Sequence, residues 1–307
     1  MSSQIIWLAS FPKSGNTWLR AVYTALRWGD RPNINRLESP SPAPRAIFDQ
    51  ALAVRSADLT EEEVDALRPR ADEATASALV EDALWKIHDA LFQTPDGELV
   101  VSPRATRCAL YMIRDPRDVA VSWAHHADVA LAVAVEGLCS PEAALARNTK
   151  RLEDQVRQRL GTWSQHVISW TEDPPFPVHV LRYEDCLADP VPTFHAAFTF
   201  AGVEATMDEM AIAVERASFD RLSAQERSSG FRERQSPRNP FFRSGTAGTW
   251  KETLPGHLAQ RLLDEHGEVM ATYGYITESA KRTRRQQVLE GNYEKTEPLQ
   301  PPMVAER

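Results

Sequence analysis

Residues 5–22 read IIWLASFPKSGNTWLRAV, and this stretch contains the feature that decides the fold. The apolar run at 5–9 is β-prone, residues 12–16 are typical of a turn, and the apolar residues after them recur at helical spacing. The stretch therefore predicts a strand, a loop and a helix, in that order, at the beginning of the chain.

The loop of this unit, FPKSGNTW at 11–18, has the composition of an anion-binding turn. Gly15 allows the backbone to approach a ligand closely, and successive N–H groups and the helix N-terminus point toward that ligand. Lys13, Ser14 and Thr17 add side-chain donors. The loop is not a Walker A motif, because its lysine precedes its only glycine. A polar, capped turn without a ligand remains the alternative for this loop on its own.

Four further β-like runs predict the rest of the sheet. They lie at 84–87, 98–101, 108–113 and 178–183, with helical patterns at 116–127, 142–171 and 190–202. Apolar strands that alternate with helices predict an α/β fold, a single domain whose central, mostly parallel sheet is flanked by helices. Ligands bind such sheets beyond the carboxyl ends of the strands, so we expect the chemistry just after residues 9, 88, 113 and 183.

The composition excludes several classes of protein. The 307 residues are 42% hydrophobic and 25% charged with a net charge of −8, which indicates a folded protein with a large core. The acidic excess argues against nucleic acid or an anionic membrane as the main partner. No run approaches the ~18 apolar residues of a membrane span. Cys108, Cys139 and Cys186 show neither metal nor disulfide spacing, so we expect a cytoplasmic protein.

Charge and proline content subdivide the chain. Residues 58–82 contain nine acidic residues and two arginines, which we interpret as a solvated helical face, whereas residues 216–243 carry a net charge of +4. Residues 228–250 are rich in Gly, Ser, Pro and Arg and predict a long surface loop. We expect one domain over 1–280 and a poorly ordered extension over 281–307.

A second motif, YMIRDPRDVAVSWAHH at 111–126, predicts a strand that runs into a helix. Asp115 is suited to the N-cap, and Asp118 completes a pattern similar to a capping box. Capping requires neither Arg114 at the end of the strand nor Ser122 two turns along the helix. These two side chains are therefore candidates for holding a second phosphate.

Together the motifs resemble those of sulfotransferases that use 3′-phosphoadenosine-5′-phosphosulfate (PAPS). The family's segment YPKSGTTW, which holds the 5′-phosphosulfate, matches residues 11–18 with Asn16 in place of a threonine. Its R-[DN]-P-R-D-x-x-x-S segment, which holds the 3′-phosphate, maps onto Arg114 and Ser122. A later G-x-x-G-x-W-K signature matches Gly245, Gly248, Trp250 and Lys251, preceded by Arg243 and Ser244. The resemblance covers residues 5 to about 275 and implies the family's P-loop-NTPase-like fold.

The chain departs from the family pattern at three places. Ser244 stands where the family has a lysine beside the 3′-phosphate, and Thr249 replaces an aspartate. The family's dimer signature K-x-x-x-T-V-x-x-x-E has no match, because Pro255 and Gly256 occupy its Thr-Val positions. The sequence therefore leaves the oligomeric state undetermined.

The resemblance also implies a general base. LWKIHDA at 84–90 is similar to the family's K-T-H segment, whose histidine deprotonates the acceptor, and His88 takes that position. An imidazole is suited to accept such a proton. Strand alternation places Lys86 on the same face as His88, toward the Lys13 loop. A solvent-facing or structural lysine is the alternative for Lys86.

Aromatic residues would hold the adenine. By resemblance, Trp18 closes the first motif and can stack on the base, and Tyr183 and Phe219 match family contacts, with Leu222 nearby. Stacking on a planar base suits all three aromatic rings. Ordinary core packing is the alternative for Tyr183, Phe219 and Leu222.

The resemblance implies in-line transfer of the sulfuryl group from PAPS to the hydroxyl of a small-molecule acceptor, with release of 3′,5′-ADP (PAP). We expect His88, Lys13, Lys86 and Ser122 to form the catalytic group, without a metal ion. The acceptor pocket would come from regions that vary in the family, at 31–83, 124–160 and 228–243. The alternatives are a small-molecule or nucleoside kinase with an altered phosphate loop, and a non-catalytic module that binds PAPS or PAP.

Overall fold

The computed structural model describes residues 3–29, 31–147 and 151–276. The strands in these residues are β1 Ile5–Ser10, β2 Ala83–Ile87, β3 Thr106–Ile113, β4 Ala144–Leu145, β5 Gln158–Arg159 and β6 Val178–Arg182. The first six helices are α1 Asn16–Trp28, α2 Arg45–Leu52, α3 Glu61–Ala78, α4 Pro116–Ala127, α5 Leu131–Cys139 and α6 Trp163–Thr171. The others are α7 Tyr183–Ala188, α8 Pro190–Phe200, α9 Met207–Arg216, α10 Phe219–Ser229, α11 Trp250–Thr253 and α12 Gly256–Thr272.

A parallel sheet with the strand order β2-β1-β3-β6 forms the centre of the fold. Strand β1 pairs with β2 on one side and with β3 on the other, so that Trp7 lies opposite both Trp85 and Ala109. All six residues of β1 are buried. A strand covered on both faces requires an uninterrupted apolar run, which explains the sequence at 5–9. The predicted α/β fold with a central parallel sheet is confirmed.

Helices cover both faces of this sheet. On one face, Leu110 of β3 packs in a cluster with Leu19 of α1 and Phe194 of α8. On the other face, the hydroxyl of Tyr111 lies 2.8 Å from Nδ1 of His166 in α6, and its ring stacks near Trp170. Leu110 and Tyr111 are neighbours in β3, and successive residues of a strand point to opposite faces.

The predicted strand at 98–101 is wrong. Within this segment only Leu99 forms a β-bridge, with Gln93. A tight turn brings the chain back on itself, since the Thr94 N–H donates to the Glu98 carbonyl at 2.7 Å. The two valines that follow are buried, which accounts for the apolar pattern without a place in the central sheet.

The predicted long helix at 142–171 is also wrong, since its helical part is α6 alone, while β4 and β5 form an antiparallel pair upstream. Gly161 adopts a left-handed backbone with φ 64° and interrupts the chain just before α6. Thr162 and Gln165 then form a capping box that begins the helix. Residues 148–150 of the predicted helix lie outside the described residues.

The acidic region at 58–82 is only partly the solvated face that we expected. Asp65 and Asp72 of α3 are buried, because they lie around Arg68, which is itself buried and paired with Asp89 at 2.6 and 2.7 Å. Burial raises the pKa of Asp72 to about 7. The solvated interpretation fails for these residues, because part of the acidic charge serves a buried ionic cluster.

The limits of the domain stay a prediction. Residues up to His266 belong to one compact unit, and a second unit begins at Gly267. The predicted boundary at 280 and the predicted extension at 281–307 lie outside the described residues. The predicted loop has no helix or strand over 230–249. Within the described ranges, every helix falls short of the length or apolarity that crossing a membrane requires.

Candidate active site

The candidate site lies at the carboxyl ends of the four parallel strands. The loop 11–15 follows β1, His88 follows β2, Arg114 follows β3 and Tyr183 follows β6. Because the strands are parallel, these segments meet at one edge of the sheet, where such folds bind their ligands. They line one cavity of about 580 Å³. The strand order puts loop 11–15 between His88 on one side and Arg114 on the other.

Most of the predicted site residues line this cavity. Ser14 is the exception, since its side chain is fully buried and outside the cavity lining, and its hydroxyl has no hydrogen-bond partner among the described residues. The predicted residues that line the cavity are Lys13, Gly15, Asn16, Thr17, Trp18, Lys86, His88, Arg114, Ser122, Tyr183, Phe219, Leu222, Arg243, Ser244 and Gly245.

The backbone of loop 11–15 forms an anion nest. Lys13 and Gly15 both have positive φ angles, 69° and 112°. For a lysine this conformation costs on the order of 1–3 kcal/mol, and such strain concentrates at functional sites. At Gly15 a Cβ atom would lie 2.7 Å from Cδ2 of Tyr183, so this position requires glycine. The loop then enters α1 directly, which directs the free N–H groups of that helix toward the cavity.

Asn16 anchors the loop to the sheet. Its Nδ2 donates to the carbonyl of Leu8 at 2.9 Å and to the hydroxyl of Ser10 at 3.3 Å. These two contacts connect the first turn of α1 to β1. The side-chain amide therefore holds the loop in place, although the residue also lines the cavity.

His88 is held as a neutral imidazole. Its Nδ1 lies 2.8 Å from the carbonyl oxygen of Ser10, and a carbonyl can only accept, so Nδ1 carries the proton. The lone pair is therefore on Nε2. Burial and the charge of Lys86 lower the pKa of His88 to about 3, so the ring is neutral at neutral pH. The backbone carbonyl of His88 is also hydrogen-bonded, to Nε2 of His166 at 3.0 Å.

Two lysines face the same cavity as His88. Burial, aided by the charge of Arg114, lowers the pKa of Lys13 to about 7, and its Nζ lies 3.7 Å from the centroid of the Phe241 ring. Burial also lowers the pKa of Lys86, whose Nζ lies 3.0 Å from Oε2 of Glu233. Burial thus makes both amines harder to protonate, and both line the cavity that His88 lines.

The sequence motifs did not indicate Glu233 and Arg20. Oε1 of Glu233 lies 2.6 Å from Nη1 of Arg20, while its other oxygen contacts Lys86. Burial raises the pKa of this carboxyl, but the attraction of Lys86 and Arg20 outweighs burial and lowers it to about 2. Arg20 has a sequence signal, since it follows Thr17 by three residues and so shares its helix face. Glu233 has none, because its partners lie on two distant elements.

On the other side of the loop, Arg114 connects three segments. Its guanidinium donates to the carbonyls of Lys13 at 3.3 Å and Thr246 at 3.0 Å, and it lies 4.2 Å from the centroid of the Tyr183 ring. Its Nε has no partner among the described residues. Arg243 donates to the hydroxyl of Thr249 at 2.9 Å. Lys13, Arg114 and Arg243 thus supply positive charge suited to a phosphorylated ligand.

Aromatic rings line the cavity beside these cations. Trp18 meets Tyr183 edge-on, with 6.0 Å between the ring centroids. Gly245, with φ 62°, approaches Phe219 so closely that a Cβ atom there would lie 2.5 Å from Cδ2 of the ring. Leu222 is buried in the core and also lines the cavity. Core packing and cavity lining are therefore not exclusive for this residue.

Asp118 does not complete a capping box, as the sequence led us to expect. Asp115 alone caps α4, by accepting from the N–H of Arg117 at 2.9 Å. Asp118 accepts instead from the N–H of Gly248 at 2.5 Å and of Trp250 at 3.0 Å, and from the hydroxyl of Thr249. Its buried carboxylate thus fastens the G-x-x-G-x-W-K signature at 245–251, the third motif, to α4. Lys251 of that motif is exposed.

The third side of the cavity comes from the regions that we expected to shape an acceptor pocket. The lining residues there include Leu37, Ser39, Leu145 and Gln155. His126 was not predicted. Its ring packs edge-on against Phe241, with 5.3 Å between the centroids, and burial lowers its pKa to about 3. It therefore offers a neutral imidazole to this side of the cavity.

Comparisons with known proteins agree with this geometry. The sequence profile of the sulfotransferase domain matches residues 3–274. Flavonol 3-sulfotransferase from Flaveria bidentis is 26% identical over 280 residues, which cover 85% of this chain and 80% of that protein. Cytosolic sulfotransferase 16 from Arabidopsis thaliana is 25% identical over 273 residues, covering 83% and 72% of the two chains.

Solved structures share the fold. A mouse sulfotransferase complexed with PAP superposes with a TM-score of 0.55 at 17% identity, over 92% of this chain and 88% of that one. Retinol dehydratase in complex with retinol and PAP gives a TM-score of 0.57 at 18% identity, over 88% and 82%. The predicted P-loop-like fold is confirmed. Since the domain profile spans nearly all of the described residues, the chain belongs to the sulfotransferase family.

Proposed function

We propose that this enzyme transfers the sulfuryl group of PAPS to a hydroxyl group of a small molecule and releases PAP. The observation that carries the proposal is His88, a neutral histidine with its lone pair on Nε2, in the cavity that also contains the anion nest of Lys13 and Gly15. Relatives named as flavonol sulfotransferases support a small-molecule acceptor. PAP in the related solved structures supports the nucleotide.

The residues present fit a nucleotide with phosphate and sulfate groups. Buried polar atoms without a partner among the described residues include the Ser14 hydroxyl, Nε of Arg114, Nε1 of Trp18 and Oδ1 of Asn16. Buried polar groups without partners are costly, and a ligand at this cavity would relieve part of that cost. We assign the 5′-phosphosulfate to residues 13–17, and the 3′-phosphate to Arg114, Ser122, Arg243, Ser244 and Gly245. We assign the adenine to Trp18, Tyr183, Phe219 and Leu222.

PAPS supplies an activated sulfuryl group when bound. Nε2 of His88 accepts the proton of the acceptor hydroxyl as its oxygen attacks, a contribution of about 10²–10⁴ in rate. The ammonium group of Lys13 stabilises the negative charge that develops on the leaving phosphate, which for one well-placed donor contributes about 10²–10³. Lys86 lies on the His88 side, where it adds positive charge to the reacting centre.

We also propose that transfer needs no metal ion, because lysine and arginine cations take the place that magnesium has in phosphoryl transfer. A cytoplasmic location is proposed as well, supported by the relative named as a cytosolic sulfotransferase. We propose neither nucleic acid nor a membrane as a partner, in line with the net charge of −8.

The test measures transfer of ³⁵S from labelled PAPS to a panel of phenols and alcohols, with and without EDTA. We expect transfer that EDTA leaves unchanged. If PAPS neither binds nor raises the melting temperature, the proposal fails. Phosphate transfer from ATP that EDTA abolishes would favour the kinase, and tight PAP binding without any transfer would favour the non-catalytic module.

A substitution at His88 tests its role as the base. His88→Ala should lower kcat by about 10²–10⁴ and leave the Kd for PAP, measured by calorimetry, within a few-fold, because the base faces the acceptor rather than the nucleotide. The matched control is His257→Ala, an exposed histidine outside the cavity, which should behave as wild type. A large loss of PAP affinity with unchanged turnover would contradict the assignment of the base.

A further inference from the structure

Glu233 is out of place in an anion-binding cavity. Among the described residues that line the cavity it is the only carboxylate, whereas the cationic residues there are Lys13, Arg20, Lys86, Arg114, Arg232, Arg234 and Arg243. A carboxylate repels the phosphate and sulfate groups that such a cavity attracts. Glu233 must therefore make a favourable interaction that offsets this repulsion.

The two oxygens of Glu233 are divided between two elements. Oε1 contacts Arg20 of α1 at 2.6 Å, and Oε2 contacts Lys86 of β2 at 3.0 Å. Glu233 itself belongs to the segment 230–249, which also carries Arg243. The side chains of Arg20, Lys86 and Glu233 are about one-tenth, one-fifth and one-third exposed, at 10%, 18% and 31%. Charge-assisted hydrogen bonds in such a partly buried site are short and strong.

Lys86 depends on this contact for its charge. The groups that face it are Arg20 from α1, Lys13 from the loop after β1, His88 from its own strand, His126 from α4 and Glu233. Arg20 is cationic, Lys13 is partly protonated near neutral pH and the histidines are neutral, so Glu233 alone among them favours the protonated amine. Burial lowers the pKa of Lys86, and Glu233 opposes that effect.

We propose that, in the sulfuryl transfer proposed above, Glu233 is a positioning residue that holds Lys86 as a charged ammonium beside His88. The carboxylate acts through Lys86 and does not touch the reacting atoms. The competing explanation is that Glu233 only ties the segment 230–249 over the cavity. The two explanations differ in what happens to the proton on Lys86.

The first test measures the pKa of Lys86 without any acceptor. Lys86 in the full-length protein is labelled competitively with acetic anhydride between pH 6 and 11, and its extent of labelling is read by peptide mass spectrometry. Glu233→Gln should lower the pKa of Lys86 by about 1–3 units, the effect of removing an opposite charge in contact. The pKa falls because, without the carboxylate, the neighbouring positive charges favour the neutral amine of Lys86.

A matched control separates charge from tethering. Glu226 of α10 holds the same segment, since its two oxygens accept from the N–H groups of Phe241 and Phe242 at 2.6 and 2.9 Å. Glu226→Gln should loosen the segment and leave the pKa of Lys86 unchanged. If Glu233→Gln also leaves that pKa unchanged, or if both variants lower it equally, the proposal is overturned.

The second test is the pH profile of kcat with an acceptor found in the screen described above. In Glu233→Gln the alkaline loss of kcat should begin at least one pH unit lower than in wild type, because Lys86 loses its proton earlier. Adding Lys86→Arg should remove that alkaline loss, since a guanidinium stays charged throughout the range. If kcat of Glu233→Gln falls equally at every pH and Lys86→Arg does not restore it, Glu233 only ties the segment 230–249 over the cavity, and the proposal fails.

The two tests also separate this proposal from the proposed function. If wild-type protein transfers no sulfate, the proposed function fails, and the labelling of Lys86 still reports whether Glu233 controls its charge. If wild type transfers sulfate and Lys86 keeps its pKa in Glu233→Gln, the positioning role fails alone.

Discussion

Lys13 combines two unusual properties at one residue. Its backbone is left-handed, and burial lowers its pKa to about 7, so its ammonium group is only partly protonated near neutral pH. An anion bound in the nest favours the charged form and raises this pKa. We therefore expect binding to take up a proton and the affinity to fall as the pH rises above about 7, where the free protein loses the charge.

This linkage is testable with PAP. Between pH 7 and 9 the Kd for PAP should rise toward tenfold per pH unit, and calorimetry in two buffers of different ionisation enthalpy should detect proton uptake. Lys13→Arg keeps the charge and should lose the part of the pH dependence that belongs to this residue, whereas the titration of PAP itself is common to both proteins. Identical pH profiles for the two proteins would contradict the assignment.

At this residue the sequence was informative, because lysine and glycine in a turn after a buried strand indicate a local backbone conformation. Glu233 is the counterexample. Its contact with Lys86 spans 147 positions of the chain, and no local pattern distinguishes it from any other surface glutamate in a polar loop.

The third motif is held by an element that seemed unrelated to it. Asp118 in α4 accepts from two backbone N–H groups and one hydroxyl at 248–250, while Glu226 in α10 accepts from two more at 241–242. Two buried carboxylates thus supply partners for the backbone of an irregular segment, which explains how a loop without helix or strand can present Arg243 to the cavity.

Asp118→Asn tests this anchoring. An amide accepts fewer of these hydrogen bonds and has no charge, and each charged hydrogen bond contributes about 1.5–3 kcal/mol. We expect faster hydrogen exchange at 243–250 and a loss of PAP affinity of about tenfold or more. The exposed Asp208 provides the matched control, and Asp208→Asn should change neither. Unchanged exchange at 243–250 in Asp118→Asn would show that the segment is held by other contacts.

Helix α4 shows where element prediction succeeds and where it stops. Its bounds, 116–127, and the N-cap at Asp115 follow from residue types that favour the start of a helix. The role of Asp118 does not follow from them. Three residues past the cap, an acidic side chain fits a capping box equally well, and only the approach of residues 248–250 draws it away.

At the scale of the whole molecule, a buried ionic cluster contacts the chain just after His88. Arg68 makes two hydrogen bonds to Asp89, the residue after His88, and the backbone N–H of Arg159 contacts the same carboxylate at 3.0 Å. The side chains of Arg68 and Asp89 are 5% and 0% exposed. Attraction from the carboxylates of Asp89, Asp65 and Asp72 outweighs burial and raises the pKa of Arg68 above its already high value.

Breaking this pair should destabilise the fold. Arg68→Met leaves Asp89 buried without its cation, and removing one partner of a buried pair costs about 3–5 kcal/mol. We expect the free energy of unfolding, from urea titration, to fall by about that amount. Arg70→Met on the same helix, at an exposed position, should stay within about 0.5 kcal/mol of wild type. A similar stability for Arg68→Met and Arg70→Met would contradict the buried pair.

The central fold and the position of the site at one edge of its sheet could be predicted from residue types and periodicity. A buried strand, a glycine turn and an amphipathic helix depend on interactions within a few residues, and parallel strands bring their carboxyl ends together wherever the chain folds this way. Lys13, Gly15, His88 and Arg114 were therefore predicted to lie at this edge, each just after the end of a strand. The apolar run at 98–101 misled us, because burial alone does not require a place in the sheet.

The contacts that complete the site depend on segments far apart in the chain. Glu233 reaches Lys86 across 147 positions and Asp118 reaches Trp250 across 132, and the net charge of a stretch does not reveal which of its acids will be buried. Such contacts form only when packing removes water and leaves a charge with one available partner. Local sequence determines the loop after β1 and the position of His88 after β2, whereas the folded chain selects the carboxylates that contact Lys86 and residues 248–250.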